Sequence, residues 1–390
     1  MFPFALLRGS TALELQVLIR GQSNAIFFAE GAGAHRLTSE VQSLLGFDGV
    51  TDTVKVVFAR GDDTQDGTAY GGTAFLGDWV KHAADGSWQP TRLESGLLRS
   101  AAALDDPAAA ATAVLWLDSE SDSVHADLSV ADWMSAVRQD AVWLRGALGG
   151  DAASIPYLFV SAHPYGEGAP EGHEAIRMGM DALAADPAFH ARIAARALDI
   201  DASRDDVDGN PDTVEYGGLH MTQDDALLVA DRAARTVAED WSDYARPGSP
   251  VFLADGDIDD VGPRVAAAER TGPDTLRLTV AQDGAHGFAP LDAAAAGGVG
   301  WAVSGTAAPP VAARSAAVAG PNTVDLAFAG PLPETGGVLH YGWGYGRLAV
   351  GNAPGEGNAL YDDAGLPIWT PAEGVAIGAP PLPNDAPWLQ

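Results

Sequence analysis

The sequence predicts an α/β unit built on a parallel sheet, followed by an antiparallel β-sandwich. Three observations carry this reading. Between residues 12 and 246, near-continuous apolar runs alternate with amphipathic helical stretches, the pattern of a parallel sheet covered on both faces. Around Ala245-Arg246-Pro247-Gly248-Ser249-Pro250 the character changes, and from 250 to 370 short β-rich runs are separated by Gly, Pro, Asp and Asn turns. A chain of 390 residues, 47% of them hydrophobic, is also too long for one ordinary core and rich enough to bury two.

In chain order, strands are expected at 13–20, 54–59, 112–117, 156–161 and, as a short one, near 196–200. Four of these five are unbroken apolar runs, as strands buried on both faces should be. Helices are expected after residue 22 and near 92–104, 130–148, 171–185 and 222–244. In the last, Ala226, Leu227, Ala230, Ala233, Ala234 and Val237 keep one stripe, and Thr222 and Asp225 have capping-box spacing. Gly61 to Pro90 is rich in Gly, Asp, Thr and Trp, and a loop of that length inside a compact unit is usually functional or disordered. In the second unit, strands are expected at 251–253, 275–280, 299–303, 323–328 and 338–342, with Leu291 to Gly298 as a loop. Residues 371–390 read as a Pro/Gly-rich tail without a fold of its own.

Composition excludes several functions. Against 22 Lys and Arg stand 53 Asp and Glu, a formal charge of −31 that repels phosphate backbones and anionic lipid surfaces. With no cysteine there is no disulfide framework, thiolate metal site or cysteine nucleophile. The opening residues show no basic n-region and no cleavage site, so no signal peptide is read. The compartment stays open, extracellular or periplasmic for a mature form and cytoplasmic otherwise, and so does the oligomeric state. Asp205 to Asp212 and Asp255 to Asp260 lack the spacing of a calcium loop and read as solvated acidic turns, so no metal site is expected.

Chemistry gathers in short blocks. Gly21-Gln22-Ser23-Asn24 follows the apolar strand Val17-Leu18-Ile19 and precedes Ile26-Phe27-Phe28. A small-residue turn from strand to helix lifts a serine hydroxyl clear of the sheet and aims free backbone N–H groups at the same point. A plain N-cap role accounts for a serine there equally well. Gly217-Gly218-Leu219-His220-Met221-Thr222 precedes the last helix of the first unit, and Trp116-Leu117-Asp118-Ser119-Glu120-Ser121-Asp122 leaves the third apolar run. Far along the chain lie His340-Tyr341-Gly342-Trp343-Gly344 and Asn358 to Ile368.

These blocks together resemble the SGNH-type carbohydrate esterases, in the branch that holds sialate O-acetylesterases and acetylxylan esterases. The resemblance implies a three-layer SGNH/flavodoxin-like parallel-sheet domain (12–246) joined to a β-sandwich domain (250–370). It implies removal of O-acetyl groups from a carbohydrate, without a cofactor. Ser23 would be the nucleophile, His220 the general base, and Glu120 the acid that orients it. Gln22, Asn24, Gly96 and His163 are the expected oxyanion or substrate residues. Two departures stand out. The family aspartate three residues before the histidine is Gly217 here, which leaves Asp118 and Glu215 as alternative acids. The family block Trp-x-Gln-Gly-Glu-Ser-Asp has Asp118 and Ser119 in place of Gln and Gly, and an ionised Asp118 would repel an oxyanion. These departures keep open a decayed, sugar-binding protein. Esterase action on a non-sugar ester is the other alternative, with Phe27, Phe28 and Phe75 lining an acyl pocket. Tyr70, Trp79 and Trp88 are candidates to stack on sugar faces, with ordinary packing as the alternative.

Overall fold

Alternate residues of the first strand, β1 (Glu14–Gly21), enter two different cores. Leu15, Val17 and Ile19 pack on one face of the sheet and Leu18 on the other. Gln16 and Arg20 share the face of Leu18, and both are fully buried. The computed structural model describes residues 12–61, 73–161, 169–200, 220–305, 309–342 and 359–380.

After β1 the chain forms α1 (Ser23–Glu30), α2 (Ala32–Leu45), β2 (Thr53–Phe58), the hairpin β3 (Val80–His82) and β4 (Trp88–Pro90), α3 (Arg92–Leu104) and β5 (Ala111–Leu117). It continues through α4 (Val130–Ala147), β6 (Tyr157–Val160), α5 (Pro170–Ala184), β7 (Ala191–Ala195) and α6 (Gln223–Asp240). The sheet order is β2-β1-β5-β6-β7, with every pair parallel. Chain order reverses at β1, between β2 on one side and β5 on the other. The C-terminal ends of β1 and β5 therefore flank the crevice where open α/β sheets bind ligands.

The helices start where local chemistry says they should. Thr91 and Ser129 cap α3 and α4, and Thr222 and Asp225 form the reciprocal capping box of α6. Leu37, Val41 and Leu45 of α2 and Val229, Ala233 and Val237 of α6 join the core with β1's odd-numbered residues. Trp133, Val137 and Leu144 of α4 and Ile176, Met180 and Leu183 of α5 fill the opposite face.

Several expectations shift. The fifth strand is β7 at Ala191–Ala195 and not 196–200. Residues 196–199 instead supply Arg196, whose guanidinium lies 3.5 Å from the Trp369 ring centre, and Asp199, which pairs with Arg232 at 2.7 Å. The run at 251–253 is not a strand but part of the helix α7 (Pro250–Leu253). Ser249 caps it by accepting from the Phe252 N–H, and Pro250 at the first helical position fixes φ for it. Within 291–298, Asp292 caps the short α8 (Ala293–Ala296).

The second unit is one seven-stranded antiparallel sheet. Its strands are β8 (Arg264–Gly272), β9 (Thr275–Ala281), β10 (Trp301–Ser304), β11 (Val311–Gly320), β12 (Thr323–Phe328), β13 (Val338–Tyr341) and β14 (Val375–Ala376), in the order β14-β13-β10-β11-β12-β9-β8. Its edges approach each other. Ile377, just after β14, bridges to Ala268 in β8, and the Gly378 N–H donates to the Ala268 carbonyl at 2.8 Å. The expected sandwich is thus a rolled sheet near closure around Val265, Leu278, Trp301, Val303, Leu326 and Leu339. Residues 371–380, expected as structureless tail, supply the closing strand.

A polar seam joins this sheet to α5 and α6. Asp199 accepts from Arg232 and from the Tyr361 hydroxyl at 2.7 Å, and Arg177 donates to the Gly342 carbonyl at 3.2 Å. Arg235 donates to the carbonyls of Asp259 and Ala364 at 3.0 and 2.9 Å. Asp259 and Asp260, expected as solvated turns, are drawn into this seam; Asp260 is buried and pairs with Arg192 at 3.0 Å. Burial and the charges of Asp362 and Asp283 push the Asp259 carboxyl up to about 7, and burial also raises Asp362. Each has one buried oxygen, Oδ2, with no hydrogen-bond partner. Raised acids hold stability that is present below the usual carboxylate range and lost as pH rises through about 7. Asp362→Asn keeps an oxygen for the Ala364 and Leu366 N–H groups and removes the opposing charge. Thermal melts should show the variant more stable than wild type by about 1–2 kcal/mol at pH ~8 and nearly equal to it at pH ~4. An equal effect at both pH values would refute the coupling.

Candidate active site

The turn after β1 depends on Gly21. Its φ is 156°, and a Cβ there would lie 1.7 Å from the Leu117 carbonyl oxygen, because β1 and β5 run side by side to their last residues. Gln22 occupies the N-cap position of α1 and Ser23 its first helical position, so the cap reading does not describe Ser23. At that position the backbone N–H belongs to the unpaired first turn of the helix. The Gln22 side chain makes no cap. Its Nε2 donates to Glu120 Oε2 at 2.9 Å, and its Oε1 accepts from the Ser121 hydroxyl at 3.2 Å. The turn after β1 and the turn after β5 are thereby tied together, with Ser23 half-buried and Glu120 buried.

The β5 turn carries its own constraints. Ser119 has φ 85°, a left-handed conformation that costs a residue with a Cβ, and it stands where the resembled block has glycine. Its hydroxyl accepts from Trp133 Nε1 at 3.1 Å. Asp122 is fully buried and accepts from the N–H groups of Phe75 and Leu76, both at 2.8 Å, while burial pushes its carboxyl up to about 7. That carboxyl fastens the 73–79 segment to the β5 turn.

His220 comes to the same place from the other end of the unit. Asn24 Oδ1 accepts from the Met221 N–H at 3.0 Å, and the rings of Phe27 and His220 meet edge to face with centres 4.7 Å apart. Phe27 lies one helical turn after Ser23, on the same face of α1. Gln223 Oε1 accepts from the Ala32 N–H at 2.8 Å, docking the start of α6 on the α1–α2 junction. The site thus gathers Gln22, Ser23, Asn24, Glu120 and His220.

Other expected site residues lie elsewhere. Asp118 shares the strand face of Trp116, and its carboxylate pairs with buried Arg20. Alternation along β5 carries it away from Leu117's side of the sheet, so it neither faces the Ser23 turn nor confronts an oxyanion there. Gly96 is the fifth residue of α3, where its N–H belongs to the helix's own hydrogen-bond ladder and cannot serve an oxyanion. Trp79 is buried, donates from Nε1 to Thr73 Oγ1 at 2.9 Å and offers no face to a sugar. Trp88 is half-buried and stacks on His82. Of the acyl-pocket candidates, Phe28 lies in the core under Gly33 and Phe75 beside Arg20, which leaves Phe27 at the site. Tyr70, His163, Glu215 and Gly217 lie outside the described residues.

Beneath the turn is a cluster not read from the sequence. Arg20 pairs with Asp118, with Asp140 at 2.9 Å and with Glu94 at 3.3 Å, all fully buried. Tyr157 donates its hydroxyl to Asp140 at 3.0 Å, and the guanidinium lies 4.0 Å from the Trp116 ring centre. Burial and the neighbouring Asp140 charge raise Glu94 well above the usual carboxylate range. The legible signal was an arginine at the end of an otherwise apolar strand, which burial obliges to find carboxylates.

Among the described residues, no group of three or more His, Asp or Glu side chains is arranged to hold a metal ion. No described helix is long and apolar enough to cross a membrane.

No family model and no curated protein matches the chain. Solved structures do match. The carbohydrate acetylesterase XAC1771 from Xanthomonas citri is 15% identical, with a TM-score of 0.53 over 91% of this chain and 79% of that one. NanS is 14% identical, with a TM-score of 0.40 over 60% of this chain and 99% of its own. Est24, a carbohydrate acetylesterase from Sinorhizobium meliloti, is 15% identical, with a TM-score of 0.33 over 57% of this chain and 98% of its own. At such identity the likeness to XAC1771 is one of fold.

Removing Arg20 should expose how the cluster works. Arg20→Met leaves three buried carboxyls without their cation and is expected to cost about 3–5 kcal/mol in urea unfolding near neutral pH. The loss should shrink as pH falls, because a protonated carboxyl no longer needs the cation. A loss independent of pH would mean that packing, and not charge, sets the cost.

Proposed function

We propose that the chain is a serine-dependent carbohydrate O-acetylesterase. The carrying observation is the packing of the His220 ring on Phe27, one turn along α1 from Ser23, which stands at the first position of that helix on the ligand-binding edge of the sheet. The fold likeness to a carbohydrate acetylesterase supports the reaction class, and so do the sequence blocks.

In this reading the Ser23 hydroxyl attacks the acetyl carbonyl carbon while His220 takes its proton. The oxyanion of the tetrahedral intermediate rests on backbone N–H groups at the start of α1, where the helix dipole favours negative charge. His220 returns the proton to the departing sugar hydroxyl. Water, deprotonated by His220, then releases acetate from Ser23. Glu120 is the proposed acid of the site: it is buried and bonded to Gln22, whereas Asp118 is already committed to Arg20. The net charge of −31 disfavours polyanionic substrates and favours neutral acetylated polysaccharides.

Acetate release from 4-nitrophenyl acetate and a panel of acetylated glycans tests this. Ser23→Ala and His220→Ala should each lower kcat on the order of a thousandfold or more, with melting temperatures close to wild type. Glu120→Gln should lose less than either. Because Gly217 replaces the expected acid, a sugar-binding protein without turnover is the competing reading. Glycan binding together with wild-type hydrolysis equal to that of Ser23→Ala would establish it.

A further inference from the structure

The imidazole of His220 is touched by a residue to which the mechanism so far gives no part. α1 and the start of α2 hold the run 220–223 at three points. Two are hydrogen bonds between side chain and backbone: Asn24 Oδ1 accepts from the Met221 N–H at 3.0 Å, and Gln223 Oε1 accepts from the Ala32 N–H at 2.8 Å. The third touches the ring itself. Phe27 meets it with centres 4.7 Å apart and planes at 68°, the edge-to-face geometry that aromatic quadrupoles prefer.

Side chains on a helix lean toward its N-terminus, so Phe27 covers the turn that carries Ser23. It is half-buried. Ser23 and Phe27 therefore lie on one stretch of one helix, and the His220 ring packs against it. A base that takes a proton from serine and delivers it to a departing hydroxyl must hold its ring plane through both transfers. Position 217 is glycine and brings no side chain to that task.

We propose that Phe27 is a positioning residue for His220, fixing the plane of the imidazole against α1 by edge-to-face packing. The inference rests on the esterase reading for its catalytic consequence, but not for the contact. The ring sets orientation, so its loss acts on the chemical step and leaves substrate binding alone.

Phe27→Leu and Phe27→Tyr separate this from bulk packing. Leucine keeps an apolar side chain of similar reach without a ring, and tyrosine keeps the ring. Phe27→Leu should lower kcat by about three- to tenfold, the range an aromatic pair contributes, with KM within about twofold of wild type. Phe27→Tyr should restore most of kcat. A Phe27→Leu enzyme with unchanged kcat, or one whose KM rises while kcat holds, overturns the proposal. A readout free of catalysis is the His220 Cε1–H resonance in a pH titration, identified by its loss in His220→Gln. In Phe27→Leu it should lose its ring-current displacement at every pH of the titration. If wild type has no Ser23-dependent turnover, the esterase reading fails and this titration alone decides. A resonance displaced between wild type and Phe27→Leu then sustains the contact's hold on His220, and an unchanged one ends the proposal.

Discussion

Arg20 leaves β1 into a space walled by Trp116, Phe75 and Trp79, where Glu94, Asp118 and Asp140 meet its guanidinium. These partners come from α3, from the end of β5 and from α4, so one side chain ties together three elements beside the central strand. One cation facing three buried carboxyls cannot neutralise them all. The excess is met by raising Glu94 well above the usual carboxylate range and by the Tyr157 hydroxyl bonded to Asp140. Such a cluster adds little net stability over an apolar core, since desolvation opposes most of its Coulomb energy. Its contribution is to geometry. Arg20 is next to last in β1 and Asp118 directly follows β5, with Gly21-Gln22-Ser23 and Ser119-Glu120 next in each chain segment, so the ion pair sets the spacing of the two turns that form the site.

The turns then lock each other through Gln22, which bonds to Glu120 and Ser121. The strain at Ser119 is held in place by the Trp133 indole, and Asp122 fastens the 73–79 segment over the cluster. On the opposite side of the sheet, α1 fits against the start of α6 through Asn24, Phe27 and Gln223. Ser23 and His220, separated by almost 200 residues, are thus brought to the same face of α1, His220 through its packing on Phe27.

The rolled antiparallel sheet reaches α5 and α6 through polar contacts more than apolar ones. Asp199, Arg232 and Tyr361 form its buried centre, and Asp199 stays ionised despite burial because Arg232 and two hydrogen bonds hold its carboxyl below the usual range. Directional bonds of this kind fix one docking geometry, whereas an apolar face would permit several.

Local pattern alone determined the strands β1, β2, β5 and β6, the helices α3 to α6 and the capping box at Thr222, because strong periodicity and cap chemistry act within a few residues. It also singled out Ser23, Glu120 and His220 as candidates, through short blocks that resemble those of the SGNH-type esterases. Tertiary structure decided what depends on neighbours distant in sequence. The helix α2, whose polar residues dilute its stripe, and the alanine-rich strands β8 and β11 were not legible, since alanine carries little strand signal and packing supplied the rest. Asp118 read as a threat to the oxyanion until the register of β5 against β1 placed it on Arg20. Gly96 read as a donor until helix α3 used its N–H. Burial of Asp259 and the packing of Phe27 on His220 likewise followed from surfaces that meet only in the folded chain, because a side chain's environment is set by the elements packed around it and not by its neighbours in sequence.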